Sequence, residues 1–122
     1  MEIAKQEIIQ AETDFAQLCQ TSGIEEAFVK FSAKNAHILR GDVIYAGNAE
    51  IKKFYSQARF KKVKLTWKPD FVDVSSSCDL GYTYGKYVYS TVDSIGKVIE
   101  STGYFHTVWK KQPNETWRFV WD

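Results

Sequence analysis

Hydrophobic spacing divides this 122-residue chain: steps of three and four dominate the first half and steps of two the second. Helical and strand periods cannot substitute for one another, so the first half must be built mainly of helices and the second of sheet. Ala4, Ile8, Ala11, Phe15, Leu18 and Cys19 fall on one side of a helix predicted from about Glu2 to Gln20, with Glu, Gln and Lys between them. Ser22-Gly23-Ile24-Glu25 has the spacing of a capping box, and Ile24, Ala27, Phe28 and Phe31 then form the buried face of a short second helix. A third helix starts near Asn48, a residue suited to capping, and carries Ile51, Phe54, Tyr55 and Ala58. Between these last two, His37 to Tyr45 reads as two short strands about a Gly41-Asp42 turn.

From Val63 onward, β-branched and aromatic residues take over. Four strands are predicted, at Val63–Ser75, Leu80–Val92, Val98–Lys111 and Thr116–Trp121. Their separators are short, which pairs neighbours antiparallel as a meander, and Pro113-Asn114 suits the centre of the last turn. Gly81, Gly85 and Gly103 interrupt strand patterns, where glycine marks a bulge or a sharp bend, so the sheet is expected to curve. The class is therefore α+β: three N-terminal helices packed on one face of a strongly curved antiparallel sheet. No repeat or linker divides residues 1–122, and a single domain is expected. A curved sheet closed by helices encloses a cone. Its wide end is a natural ligand pocket, and its open outer face a natural dimer surface.

Sixteen basic and fifteen acidic side chains leave a formal charge of +1, so no overall field draws the chain to nucleic acid or to an anionic membrane, and neither partner is expected. Cys19 and Cys78 can make no disulfide framework and lie in no metal-ligand spacing, so no metal site is expected. The N-terminus lacks the basic-then-apolar pattern of a secretory signal, and no apolar run approaches the roughly 20 residues of a membrane span, which makes cytoplasmic the default location. Aromatic residues are 16% of the chain, an excess that suits either a β-rich core or an aromatic-lined cavity.

The order of elements, with Asp79-Leu80-Gly81-Tyr82-Thr83-Tyr84-Gly85, the run from Gly103 through His106 and Trp109 to Pro113, and the closing Trp117-Arg118-Phe119-Val120-Trp121-Asp122, resembles the SnoaL-like, ketosteroid-isomerase-like branch of the nuclear-transport-factor-two-like superfamily, closest to a group of uncharacterised domains. The resemblance implies a cystatin-like cone and a homodimer with a pocket in each cone. Ketosteroid isomerases, polyketide cyclases, limonene epoxide hydrolases and scytalone dehydratases share that fold. Their chemistry needs no metal or organic cofactor, so the resemblance implies that any active site here is assembled from side chains, with no cofactor. Where ketosteroid isomerases carry a tyrosine on the first helix this chain has Asp14 and Phe15, and His106 stands near the position of their protonated acid.

Asp14, on the edge of the first helix's apolar stripe, is a candidate base if it points into the cone and a solvated carboxylate if it does not. His106 sits mid-strand and is the main proton-transfer candidate, on condition that its strand face looks inward. Tyr84 would then stabilise an oxyanion. Trp67, Tyr82, Tyr84, Tyr104 and His106 form the candidate ligand-binding wall, and each has simple packing as its ordinary alternative. Tyr82 and Tyr84 share one strand face and Tyr87 and Tyr89 the other, unless Gly85 carries a bulge that exchanges them. Arg59, Lys61, Lys62, Lys64 and Lys68 suit either an anion-binding lip or a solvated strand edge. Arg40-Gly41-Asp42 matches an adhesion tripeptide, which a turn explains fully. The function expected is binding of a small apolar ligand in the cone of a homodimer. The alternatives are a cofactor-independent acid–base enzyme of isomerase, cyclase or dehydratase type, and a dimerisation or protein-interaction module.

Overall fold

The computed structural model describes residues 1–122. Helix α1 spans Glu2–Ser22 and α2 spans Ile24–Phe31, with Gly23 between them at a φ of 99°. Glycine reaches that conformation without strain, so the backbone itself ends one helix and starts the next. The capping box expected at Ser22 is not formed, because Ser22 belongs to the last turn of α1. Strands β1 (Ser32–Arg40) and β2 (Val43–Ala46) make the predicted hairpin about Gly41-Asp42. Helix α3 (Asn48–Tyr55) starts after Gly47. The Asn48 amide donates to the Val29 carbonyl and the Ser32 hydroxyl, tying α3 to the end of α2 where a cap was expected. A single 3-10 turn, Ala58–Phe60, leads into β3 (Lys64–Val74), β4 (Leu80–Val92), β5 (Val98–Lys111) and β6 (Trp117–Trp121).

The six strands lie in the order β2-β1-β6-β5-β4-β3. Every neighbouring pair is antiparallel except β1 and β6, which run parallel, so the sheet is mixed where an antiparallel one was expected. A tight turn dictates antiparallel pairing only for the two strands it joins. β1 and β6 are separated by most of the chain and are free to meet in either sense.

The bend arises where β3 crosses β4. The register shifts between Pro69 and Phe71, opposite Gly85, while β4 stays in unbroken register with β5 from Leu80 to Val92. The extra residue is thus Asp70, and Gly85 supplies the room it needs: a Cβ at Gly85 would strike the Lys68 carbonyl oxygen and lie 2.9 Å from the Asp70 nitrogen. The bulge also reverses side-chain parity along β3, so Trp67 faces the helices and Phe71 faces away from them.

The helices cover the concave face. Phe15 of α1 is the centre of the core, with ring centroids 4.8 Å from Phe28 and Trp67, 5.3 Å from Phe31 and 5.5 Å from Phe119. Trp109 and Phe119 are fully buried beneath it, which accounts for much of the aromatic excess.

Candidate functional site

Helix α1 lies over one end of the sheet, where Ile8 fills the space left by Gly81 and Glu12 reaches Thr83. Further along β4 no part of α1 takes that place, and Tyr87 and Tyr89 line a cavity of about 560 Å³. Phe28 of α2, Tyr55 of α3 and Phe60 of the 3-10 turn form its opposite wall, and Leu65 and Trp67 of β3 its floor. β6 pairs with β5 only from Val108 onward, so the edge of β5 that precedes it has no strand partner, and Tyr104–Thr107 border the opening.

One polar network reaches this cavity. Arg40, at the end of β1, donates through Nε to Tyr55 Oη (2.8 Å), through Nη2 to Asp122 Oδ1 (2.8 Å) and through Nη1 to the carbonyls of Leu39 and Asp122. Thr107 Oγ1 donates to the other Asp122 oxygen at 2.9 Å. Burial acts to lower the Arg40 guanidinium, but Asp122 and the Tyr55 oxygen together outweigh this and hold it above its ordinary value. Burial pushes the Tyr55 phenol well up, so it stays neutral. Its oxygen accepts from Arg40, and its own proton is donated to no protein group.

A second polar cluster lies just behind the cavity wall. Glu12 is 0% exposed, and no cation pairs with it. Its Oε1 accepts hydrogen bonds from Thr83 Oγ1 (2.6 Å) and Trp109 Nε1 (3.1 Å), and its Oε2 accepts one from Trp67 Nε1 (2.8 Å). Burial pushes the carboxyl up to about 7, against the pull of these three hydrogen bonds. Trp67 therefore presents its ring to the cavity while its N–H is anchored to Glu12.

The sequence-predicted residues divide between the two faces of the sheet. Trp67 lines the cavity as expected. Tyr82, Tyr84 and His106 are brought together, but on the convex side. Tyr84 pairs directly with His106 across β4 and β5 and stacks on Phe71 at 5.3 Å, and Tyr82 meets the His106 ring at 5.8 Å. Tyr82 and Tyr84 do not line the cavity, because they alternate with Thr83 and Gly85, which face inward; His106 alternates in the same way with Phe105 and Thr107 but still reaches the cavity's border. Tyr104 is 67% exposed on the same outer face, and it and His106 border the cavity only where β5 passes its mouth. Asp14 is exposed on α1, where Gln10 Nε2 donates to it at 2.8 Å, and it does not join the candidate residues on the sheet.

Glu12 was legible as an oddity. It stands four residues after Ile8 and three before Phe15, inside the apolar stripe and not at its edge. Arg40 and Asp122 gave no such signal, since 82 positions separate them. No three His, Cys, Asp or Glu side chains are grouped to hold a metal ion, and no helix is long and apolar enough to cross a membrane.

The sequence matches no family profile and no curated protein. Solved structures are similar throughout the chain. A nuclear transport factor 2-like superfamily protein from Salmonella enterica serovar Typhimurium is 19% identical at a TM-score of 0.78, with 98% of this chain and 88% of that one covered. A ketosteroid isomerase-like protein from Erwinia carotovora atroseptica is 14% identical at 0.79, covering 96% and 91%. The association domain of C. elegans CaMKII is 14% identical at 0.74, covering 98% and 93%. At these identities the likeness is one of fold: the chain has the nuclear-transport-factor-two-like, cystatin-like fold that its resemblance implied.

Proposed function

We propose that this chain binds a small, largely apolar, ring-bearing molecule in its cone, and that it does so as a homodimer joined through the convex sheet face. The observation that carries the first half is the cavity itself. At about 560 Å³ it falls within the roughly 300–1,000 Å³ usual for small-molecule sites, and its walls are aromatic with few polar groups. Binding is favoured over acid–base catalysis because Tyr84 projects from the outer face, Asp14 is exposed and His106 meets the cavity only at its border, so the acid, base and oxyanion donor assigned to the cone do not converge there.

A neutral fluorescent probe, N-phenyl-1-naphthylamine, tests this directly. The protein should enhance its emission with saturable, micromolar-range binding. Leu65→Trp, which fills the floor of the cavity, should weaken that binding by about tenfold or more while leaving the far-ultraviolet circular dichroism unchanged. No enhancement, or equal binding by the filled variant, would sink the reading.

The dimer rests on the row Phe71, Tyr84 and His106, flanked by Tyr82 and Tyr104, which leaves a band of aromatic surface in water. That one similar structure is named an association domain supports an oligomer. Tyr84→Glu would place a charge within this band on each subunit, and sedimentation velocity should shift from dimer to monomer. A wild-type protein that sediments as a monomer at micromolar concentration contradicts the proposal.

A further inference from the structure

Resting on the reading of the cone as a ligand site, we infer that the ligand is an anion: an aromatic or polycyclic carboxylate whose apolar body enters the cavity and whose charged group is held at the mouth by Arg59. Three charged side chains line the cavity: Arg40, Arg59 and Asp122. Arg40 and Asp122 neutralise one another, and both Asp122 oxygens are already occupied, one by Arg40 and the other by Thr107. Arg59 is the one remaining charged side chain in the lining. It makes no ion pair and donates no side-chain hydrogen bond, although its neighbour Lys61 is met by Glu25 of α2 at 3.7 Å. Among the lining side chains, one positive charge is thus left without an ion-pair partner.

The way Arg59 is held fits this role. Its guanidinium lies over the rings of Phe60, 4.7 Å from the centroid, and Phe54, at 5.4 Å. Both rings belong to the cavity lining, and cation–π attraction keeps the planar group against the wall rather than free in solvent. A guanidinium stacked by its face leaves its N–H edge available, and that edge matches the two oxygens of a carboxylate. The neutral Tyr55 hydroxyl, with a proton committed to no protein acceptor, adds a donor within the same cavity. The one side-chain carboxylate in the lining, Asp122, already has its partners, so no free anionic side chain there pairs with a cationic ligand.

A matched pair of probes separates this inference from the reading on which it rests. 2-Naphthoate and its methyl ester share one apolar body and differ in charge, and binding of each is followed by quenching of tryptophan fluorescence. The carboxylate should bind about tenfold or more tightly than the ester at low salt, and its advantage should shrink as salt is raised. Arg59→Gln should weaken the carboxylate by a similar factor and leave the ester unchanged. Arg59 is exposed, so its loss does not threaten the fold. If the ester binds as well as the carboxylate, or if Arg59→Gln spares the carboxylate, the anion inference is overturned while the cavity reading survives. If neither probe binds, and N-phenyl-1-naphthylamine also fails, both fall together.

Discussion

Stability should fall by about 3 kcal/mol as pH rises from 5 to 8, with Glu12 as the cause. Its carboxyl has an ordinary value of 4.5 and a folded value of about 7. Below the lower value both folded and unfolded chains hold the proton; between the two only the folded chain does; above the upper one neither does. Stability from this group is therefore full on the acid side and lost as pH rises through 7. Glu7 and Asp79, held below the usual carboxylate range by hydrogen bonds from Trp117 and Ser77, act in the opposite sense but below this window. Urea unfolding at a series of pH values checks the slope, and Glu12→Gln should flatten it. The amide can still donate to the Thr83 oxygen and accept from Trp67, but it leaves the Trp109 N–H unpaired, at a cost of about 1–3 kcal/mol that is most visible at pH 5. A wild-type curve that is flat, or a slope that persists in Glu12→Gln, would remove Glu12 as the source.

Gly85→Ala should destabilise the protein by about 2–4 kcal/mol. The added methyl would meet the Lys68 carbonyl and the Asp70 nitrogen, both main-chain atoms within the bulge that bends β3 over β4. Backbone cannot rotate aside as a side chain can, so the bend itself must open. Gly103→Ala is the informative comparison. The three atoms nearest its methyl all belong to the Tyr87 side chain, the hydroxyl at 2.6 Å first, and that ring can swing into the cavity at small cost. Chemical denaturation should separate the two variants clearly. Equal losses would mean that the bend is not what Gly85 supports.

Much of the fold was legible because its strongest signals are local. Strands β4 and β5 begin and end where the alternation and turn residues put them, and α1 extends only two residues beyond its expected end. What escaped depends on contacts far apart in the chain. Nothing near Ser32 or Trp117 announces that β1 and β6 will pair in parallel. The bulge at Asp70 carries no glycine of its own; the glycine that permits it lies on the next strand, and so the inward and outward faces could not be assigned from β3 alone. On β4 and β5 the alternation is unbroken, but alternation alone does not say which face the helices cover, and so Tyr84 and His106 were candidates for the cone although both lie on the convex face. Glu12 was passed over for a different reason: its place inside the stripe marks it as odd, but the donors that explain it, on Trp67, Thr83 and Trp109, lie 55, 71 and 97 positions away.

The parallel pairing of β1 with β6 also sets an order of assembly. Bringing Arg40 to Asp122 closes a loop of 82 positions, which costs about 4 kcal/mol of chain entropy before any contact offsets it. Helices and the β3–β5 meander can form from neighbouring segments, whereas the junction of β1, β6, Tyr55 and Thr107 must wait for both halves of the chain. The cavity mouth lies at that junction. A partly folded chain therefore has no binding site to offer, and ligand occupancy reports completion of the whole fold.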